Sequence, residues 1–404
     1  MTSTTSPSER ARELLVEDRT TPVDLLARYR PGTGAWFSSA GRHLLATGDR
    51  EPIDAACGTT PGFAADVTAR LRSARSRGAA GLAVGALPFA AGTPAALHVP
   101  ERVLRAEGAP GPVPGAAPVA AGATVTPHPP ETGYAAAVSA ALLRLRAEDD
   151  ELGKVVLGRL LDVEVPGDVD VRAVLARLLA ADPAAFVYAV DLPGAGPGPR
   201  TLVGASPELL VARSGRRVTA CPLAGSAPRC ADPAEDRRRA EALRASAKDL
   251  AEHAVVADAV HAALAPLCVD LDVPAEPELR SSATMWHLAT PVTATLADPA
   301  TTSLDLLAAM HPTPAVCGVP PAEAARVIAD LEPFERGYFT GAVGWCDADG
   351  DGEWAVTIRC AEVRERSVRL FAGAGVVAAS DPAAEVAETA AKFRTSLQAL
   401  GVTR

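Results

Sequence analysis

The chain of 404 residues is long enough for two ordinary domains or one large α/β unit, and its 48% hydrophobic and 22% charged residues are typical of a soluble globular protein. The net charge of −10 argues against nucleic acid as a main partner, because phosphate binding requires a basic surface. We expect no membrane span and no signal peptide, since the sequence has no run of about 18 apolar residues and the start MTSTTSPSERARELL is polar. The seven cysteines contain no CxxC pair, which predicts reduced thiols in the cytoplasm.

The first 130 residues divide into two parts. Residues 1–30 predict a polar tail followed by a short helix, and residues 31–130 predict a strand-rich part of the fold. AWFSSAGRHLLATGD indicates two strands around a turn at residues 39–41, and RGAAGLAVGALPFA indicates another strand. The segment 108–130 is rich in Pro, Gly and Ala, which predicts an ordered but irregular connection, with a cleavable linker as the alternative.

Residues 131–404 predict the larger part of the fold. YAAAVSAALLRLRAEDD indicates a helix, and GKVVLGRLLDVEV, FVYAVDLPG and RTLVGASPELLVARSGRRVTACPLAG indicate strands, the last folded back at Ser214 and Gly215. A long helix follows, with a break near Ser246. GYFTGAVGWCD, GEWAVTIRCAEVRE and SVRLFAGAGVVA then predict three antiparallel strands. Long helices packed on hairpin-rich sheets predict an α+β layered architecture and not a doubly wound parallel one.

The last predicted helix begins after the N-cap Asp381 and ends at Gly401. Its buried stripe is predicted to comprise Val386, Ala390, Phe393, Leu397 and Leu400. Glu385, Glu388 and Lys392 recur at spacings of three and four and therefore share a second face. Carboxylates and an ammonium on one face suit an anionic substrate held through a metal, and a solvated face of ion pairs is the alternative.

A second acidic pair lies on the long helix, where KDLAEH places Asp249 and Glu252 three residues apart. Two helices that each offer such a pair can meet across a cleft and hold a divalent ion. Mg²⁺ typically takes one or two carboxylates together with waters and substrate oxygens. Two unrelated solvated faces are the alternative that spacing alone leaves open.

The motifs GASPELLV, PLAGSAPR, KDLAEH, TMWHLAT, HPTPAVCG, GAVGWCDADGDGEWAVTIRC and AGAGVVAASDPAAEVAETAAKF resemble those of the chorismate-utilising enzymes. Among these they are most similar to the isochorismate synthases of catecholate siderophore pathways. The resemblance extends from about Trp36 to Leu400 and is densest after Gly153. It implies an aminodeoxychorismate synthase-like fold of antiparallel sheets layered with long helices, with Mg²⁺ and chorismate in a central cleft. It also implies a monomer that needs no glutaminase subunit.

The resemblance implies a role for each matching residue. Lys154 in GKVVLGR matches the general base, and Glu208 in SPELL matches the general acid. Such roles require an environment that lowers the pKa of the lysine and raises that of the carboxyl. Glu252 and Glu388 match the metal ligands, and His287 in MWHLAT matches a histidine that orients the substrate hydroxyl. Residues in supporting metal positions are Glu385 and Asp249, and residues that match substrate-binding positions are Gly225, Ser226, Arg359, Gly373, Gly375 and Lys392.

Without these motifs, the same residues would have ordinary structural explanations. They would be a lysine at a strand edge, a surface glutamate at a strand end and a hydrogen-bonded core histidine. For the acidic pairs, the explanation would be solvated helix faces.

The attacking nucleophile distinguishes the sister reactions of the family. Anthranilate-type synthases carry glutamine at the position of Lys154, and aminodeoxychorismate synthases carry a lysine at the position of Ala224. Lysine at 154 with alanine at 224 leaves water as the nucleophile, so the resemblance implies water addition at C2 of chorismate and loss of the C4 hydroxyl. The motif PLAGS favours an isochorismate synthase, whose product would feed the synthesis of 2,3-dihydroxybenzoate and catecholate siderophores. The alternatives are a salicylate synthase, which then eliminates pyruvate, and an inactive scaffold.

Overall fold

The computed structural model describes residues 20–53, 62–109, 122–193 and 198–402. The polar tail through residue 19, Cys57 and most of the predicted irregular connection, at residues 110–121, lie outside these ranges. The helices of the described residues are α1 Pro22–Arg28, α2 Phe63–Ser76, α3 Glu131–Leu145, α4 Val171–Ala181, α5 Pro233–Ala245, α6 Ala247–Leu264, α7 Ser303–Met310, α8 Pro321–Leu331 and α9 Pro382–Leu400.

The strands are mostly short and end in tight turns. They are β1 Ala35–Ser39, β2 Arg42–Pro52, β3 Leu82–Leu87, β4 Ala96–Glu107, β5 Thr124–His128, β6 Lys154–Glu164, β7 Phe186–Leu192, β8 Arg200–Ser206, β9 Leu209–Ser214, β10 Arg217–Cys221, β11 Leu223–Pro228, β12 Cys268–Asp272, β13 Glu278–Ser281, β14 Met285–Ala289, β15 Val292–Leu296, β16 Gly318–Val319, β17 Ala342–Asp347, β18 Gly352–Val356, β19 Cys360–Arg364 and β20 Ser367–Val376.

Antiparallel pairing joins 17 of these strands in one sheet. The pairings run β12-β15-β10-β9-β18-β17-β3-β4-β2-β1-β7-β8-β19-β20-β6, and β6 then pairs with both β5 and β16. A second sheet has three strands in the order β11-β14-β13. Strands from both predicted parts of the chain thus pair within the large sheet.

The large sheet folds over on itself, because one inner cluster contains residues from both of its halves, such as Val84 and Val343 from one and Tyr188 and Phe371 from the other. Helices cover the outer faces. α1, α4 and α9 pack over one apolar cluster, and α2, α6 and α7 pack over another. Strand β6 is buried over most of its length, and its first residue, Lys154, carries a predicted catalytic side chain.

The α+β architecture of antiparallel sheets and long helices confirms the prediction. Residues 39–41 form the predicted turn between β1 and β2, and Ser214 and Gly215 stand at the predicted fold between β9 and β10. The long helix breaks at Ser246, whose side chain accepts a hydrogen bond from the backbone N–H of Asp249 and so caps α6. Gly401 ends α9 in a left-handed conformation.

Three local predictions were wrong. The segment 108–130 contains the strand β5, which pairs with β6. GEWAVTIRCAEVRE forms two strands, because the backbone of Thr357 leaves the ladder and bonds to Thr340 and Gly341, and Arg359 follows in a left-handed conformation with φ 52°. In α9, Ala390 is exposed and Val386 only half-buried, whereas Glu385 is buried, so the buried face is rotated toward the predicted polar face.

No helix in the described part of the chain is long and apolar enough to cross a membrane. Six cysteines fall within the described ranges, and all of them are free thiols.

Candidate active site

One cavity lies between β6, β20, the small sheet and helices α6 and α9. Asp249 lines it, as do ten of the other twelve predicted site residues. They are Glu208, Gly225, Ser226, Glu252, His287, Arg359, Gly373, Gly375, Glu388 and Lys392. The other two, Lys154 and Glu385, are buried next to the lining residues. The fold therefore brings together residues that are separated by more than 230 positions in the sequence.

Lys154 begins β6 and forms an ion pair with Glu252 of α6, with 2.9 Å between Nζ and Oε1. The lysine side chain is only 2% exposed. Gly375 faces this pair from β20. A Cβ atom at position 375 would overlap Oε1 of Glu252 and lie 3.1 Å from Cε of Lys154, so only glycine leaves room for the contact. The sequence thus places a buried ammonium beside a carboxylate at the edge of the cavity.

Glu208 lies between β8 and β9 and is 3% exposed. Its carboxylate accepts a hydrogen bond from the N–H of Leu223, and its own carbonyl accepts one from Val356. Burial raises the pKa of Glu208 to about 7, although the N–H of Leu223 and the charges of Lys154 and Arg359 act in the opposite direction. A substantial fraction of the carboxyl therefore carries a proton near neutral pH, as a general acid requires.

Arg359 enters the cavity from the break between β18 and β19. Its left-handed backbone is held by a hydrogen bond from the N–H of Ala205 to its carbonyl, at 3.2 Å. Burial lowers the pKa of the guanidinium to about 10, while the carboxylates of Glu388 and Glu208 act to raise it. The side chain remains a cation at neutral pH, so it can bind a carboxylate of a ligand.

His287 on β14 is 5% exposed, and its Nε2 lies 3.3 Å from Oγ of Ser282. Burial, with smaller contributions from the charges of Arg359 and Lys392, lowers its pKa well below the ordinary value. A neutral imidazole can donate and accept hydrogen bonds, which suits the orientation of a hydroxyl group.

Lys392 and Glu388 lie one turn apart on α9, with 2.6 Å between Nζ and Oε1. The ammonium also donates to the carbonyl of Gly373 at 2.8 Å, and Glu388 accepts from Ser226 at 3.2 Å. Burial alone would raise the pKa of Glu388, but Lys392 and Ser226 hold it below its usual value. Gly373 and Gly375 lie in strand β20, and Gly225, another predicted substrate-binding residue, has a positive φ of 76°.

Four carboxylates surround the inner end of the cavity. Asp249, Glu252 and Glu388 line it, and Glu385 lies behind them, 1% exposed, with no hydrogen-bond partner for Oε2 among the residues that the structure describes. Burial raises the pKa of Glu385 to about 7, and the charge of Glu388 adds to this shift. Burial likewise raises the pKa of Asp249, with further contributions from Glu252 and Glu388. Such mutual repulsion is the environment that a bound cation would relieve.

These donors fit Mg²⁺ in kind, because the ion prefers one or two carboxylates with waters and substrate oxygens. Within the described ranges, however, no three Asp, Glu, His or Cys side chains converge closely enough to form a complete metal site. Instead, Glu252 forms an ion pair with Lys154, and Glu388 forms an ion pair with Lys392. Glu252 and Glu388 thus remain the predicted ligands, with Glu385 and Asp249 in support.

The sequence analysis missed two groups of residues at this site. Nζ of Lys248 lies 3.6 Å from Oε1 of Glu385, and within the described part of the chain this is the only ion pair of that carboxylate. Its position next to Asp249 in KDLAEH was the available signal. Phe339 and Thr340 line the cavity from EPFERGYFTG, a segment whose glutamate and arginine at a spacing of four marked a possible ion pair.

Residues 116–401 match the model of a protein family described as chorismate binding enzyme. The chain is 53% identical over 272 residues to the isochorismate synthase DhbC of Bacillus subtilis, an alignment that covers 67% of this chain and 68% of the relative. It is 46% identical over 252 residues to the isochorismate synthase EntC of Escherichia coli, with 62% and 63% of the two chains covered.

Solved structures show the same fold. The crystal structure of a putative 2,3-dihydroxybenzoate-specific isochorismate synthase, DhbC from Bacillus anthracis, superimposes with a TM-score of 0.88 at 45% identity, covering 94% of this chain and 99% of that one. Anthranilate synthase component I from Streptococcus pneumoniae superimposes with a TM-score of 0.65 at 22% identity, covering 91% and 90% of the chains. The second likeness concerns the fold alone.

Proposed function

The chain belongs to the chorismate-binding enzymes, and we propose that it converts chorismate to isochorismate by adding water at C2 and releasing the C4 hydroxyl. One observation carries the proposal: Lys154 and Glu208, the matched base and acid, are both buried at the same cavity. The relatives named above as isochorismate synthases support it, since they are 53% and 46% identical to this chain.

The chemistry requires a base on one side of the ring and an acid on the other. In its neutral form, Lys154 accepts a proton from the water whose oxygen bonds to C2, and the ring double bonds shift. Glu208 gives its proton to the C4 hydroxyl, which leaves as water. One water enters and one leaves, so the reaction is an isomerisation. Because the pKa of Glu208 is about 7, the carboxyl can both release and regain its proton at neutral pH.

Arg359 and Lys392 supply the positive charges that a dicarboxylate substrate needs. Both side chains are cations at the cavity, and Arg359 is buried, so its attraction to a carboxylate is screened little by solvent. His287, neutral because of its low pKa, would hold a substrate hydroxyl. The backbone of Gly373 and Gly375 and the segment of Gly225 and Ser226 would complete the substrate pocket.

Mg²⁺ belongs to this proposal as a cofactor. Glu252 and Glu388 would hold the ion, and Glu385 and Asp249 would add negative charge around it. When bound, Mg²⁺ would supply a positive charge that offsets these carboxylates and binds the ring carboxylate of the substrate.

We propose a free-standing enzyme that uses water as its nucleophile. Ala224 lines the cavity at the position where aminodeoxychorismate synthases carry a nucleophilic lysine. An alanine methyl group cannot attack the substrate, so water remains as the nucleophile. We propose that the protein acts in the cytoplasm as a monomer without a glutaminase subunit. We further propose that its product feeds 2,3-dihydroxybenzoate and catecholate siderophore synthesis, because the chain resembles the putative 2,3-dihydroxybenzoate-specific isochorismate synthase of Bacillus anthracis.

A product assay tests this function. Purified protein is incubated with chorismate and Mg²⁺, without ammonia or a partner protein, and the products are separated by chromatography. Isochorismate alone is the expected result. Salicylate with pyruvate would retain the site but assign the chain to salicylate synthesis. No product, together with no Mg²⁺-dependent binding of chorismate, would identify an inactive scaffold.

A further inference from the structure

The guanidinium of Arg336 lies in the wall directly behind the cavity and is only 4% exposed. Nε donates to Oε2 of Glu332 at 2.8 Å, and Nη2 donates to Oε1 of the same carboxylate. Nη2 also donates to the carbonyl of Val156 at 2.7 Å. Nη1 donates to the carbonyl of Val316 at 2.8 Å and to Oγ1 of Thr340 at 3.1 Å. All five N–H donors of the arginine therefore have acceptors.

Apart from Glu332, the acceptors belong to three separate segments that line the cavity. Val156 lies two residues after Lys154 in β6, and Val316 lies in the connection between α7 and β16. Thr340 precedes β17 and has a left-handed backbone with φ 62°, which a β-branched residue adopts only when its surroundings hold it there. One side chain thus joins the strand of the predicted base to two further segments of the wall.

The contact network continues from Thr340 toward Arg359. The N–H of Thr340 donates to the carbonyl of Thr357 at 2.8 Å, and the N–H of Thr357 donates to the carbonyl of Gly341 at 2.9 Å. Thr357 lies two residues before Arg359, in the break between β18 and β19. Thr340 therefore anchors the turn that carries Arg359, the predicted substrate-binding arginine.

Glu332 balances the charge of Arg336 and adds a contact of its own. Its Oε1 accepts the backbone N–H of Gly158 in β6 at 2.6 Å. The guanidinium lies over the ring of Phe89, with 4.6 Å between Cζ and the ring centroid. The ring of Phe339, which lines the cavity, lies on it at 5.7 Å. Bidentate pairing and ring stacking are properties of arginine that lysine does not reproduce.

We propose that Arg336 is a positioning residue that fixes the distance between the β6 strand of Lys154 and the Arg359 turn. It does not line the cavity, and its hydrogen bonds to the described residues reach none of the predicted metal ligands. Its contribution to turnover is the geometry it imposes on the groups that line the cavity. This inference rests on the proposed function for its kinetic readout but has a structural readout that is independent of it.

The experiment separates positioning from simple charge balance. Arg336→Met alone leaves Glu332 as an unpaired buried carboxylate and is expected to lose stability. The double variant Glu332→Gln/Arg336→Met removes both charges, while Gln still accepts the N–H of Gly158, so thermal stability is expected to recover in part, since the acceptors of Val156, Val316 and Thr340 remain without their donor. We expect kcat of the double variant to stay reduced by about tenfold or more, because a displacement of about 1 Å costs on the order of 10²-fold in rate.

Arg213→Lys is the matched control. Arg213 is also buried and donates to the backbone carbonyls of Asp349 and Pro299 and to the carboxylate of Asp351, but it lies outside the cavity. This control is expected to lower the melting temperature while leaving kcat and KM unchanged. If the Glu332→Gln/Arg336→Met variant recovers both stability and kcat, Arg336 only balances charge and the inference is wrong.

Amide hydrogen exchange provides the readout that does not depend on turnover. In the double variant we expect faster exchange in the peptides that contain Val316 and Thr340, and no such change in the Arg213→Lys control. If the parent protein forms no isochorismate, the proposed function fails, and the exchange result still decides the inference. Unchanged exchange at these segments would overturn it.

Discussion

Nζ of Lys154 and Oε1 of Glu252 form a buried ion pair at 2.9 Å, which joins the predicted base of β6 to a predicted metal ligand of α6. The two side chains are 2% and 11% exposed. Breaking a buried pair by removing one partner leaves an uncompensated charge, which costs about 3–5 kcal/mol. The pair therefore holds the predicted base next to the predicted metal ligand, and loss of either partner is expected to lower the stability of the protein.

Gly375→Ala tests whether the contact between Lys154 and Glu252 requires a residue without a side chain at position 375. The new Cβ would overlap Oε1 of Glu252 and press on Lys154, so we expect a loss of activity of about 10²-fold. Gly167→Ala, outside the cavity, is the control, because a Cβ there would meet no described atom within 4 Å. Steady-state kinetics of both variants decide the matter. Equal activities would show that the pair has room to move aside.

Lys154→Ala is expected to abolish water addition and to leave Mg²⁺-dependent binding of chorismate intact. The reason is that Arg359 and Lys392, the residues proposed to bind the substrate carboxylates, line the cavity and remain in this variant, whereas the proposed base is removed. Loss of a general base reduces turnover by about 10²–10⁴-fold. Turnover by product analysis and binding by calorimetry are measured side by side. Unchanged turnover would exclude Lys154 as the base.

Glu208→Gln is expected to make the protein more stable and less active. The pKa of Glu208 is about 7 in the folded protein against an ordinary 4.5, so the native state holds this proton more tightly than the unfolded state. The stabilisation from that proton is complete below about pH 4.5 and is lost as the pH rises through 7. Gln avoids this loss and still accepts the N–H of Leu223. We expect a gain of about 3 kcal/mol in unfolding free energy near pH 8 and little change near pH 4.

Denaturant titrations at the two pH values measure this gain, and product formation measures the loss of the acid, about 10²-fold or more. In the parent, kcat/KM should fall as the pH rises through about 7, because ionised Glu208 has no proton to give. A variant that is destabilised equally at both pH values would contradict the raised pKa. Retained turnover in Glu208→Gln would exclude the acid role.

The sequence predicts the helices and the hairpins well because their signals are local. Asp381 and Gly401 limit α9 by their own capping chemistry, and Ser246 interrupts the long helix in the same way. Arg359 is different, since its left-handed turn arises from bonds between Thr357 and the distant Thr340 and Gly341. No pattern within TIRC carries that information, and the break between β18 and β19 was therefore missed.

The candidate site shows the same division between features with a local sequence signal and features that depend on contacts between distant residues. Motif resemblance selected residues that line one cavity, but the ion pairs among them depend on how separate elements meet. The contact of Lys154 with Glu252 and that of Lys248 with Glu385 join residues 98 and 137 positions apart. Burial of Glu385 was missed because spacing placed it on a polar face, whereas packing of α9 against its neighbours turned that face inward.

Glu388→Gln and Glu385→Gln together test the predicted metal ligands. Glu388 lines the cavity and keeps its charge, since its pKa is below the usual value, whereas Glu385 lies behind it with a pKa of about 7. A ligand that is ionised and accessible should contribute more to Mg²⁺ affinity than a buried, half-protonated one. We therefore expect the Mg²⁺ concentration for half-maximal activity to rise by about 10–100-fold in Glu388→Gln and clearly less in Glu385→Gln.

Chorismate binding at saturating Mg²⁺ is the control for both variants, because it reports on the substrate pocket after the metal deficit has been compensated. It should recover in Glu388→Gln if the residue acts mainly through the ion. A Mg²⁺ titration curve identical to that of the parent would remove Glu388 from the ligand set. A larger effect at Glu385 than at Glu388 would instead mean that the ion binds deeper, against the Glu385 Oε2 atom, which has no hydrogen-bond partner among the described residues.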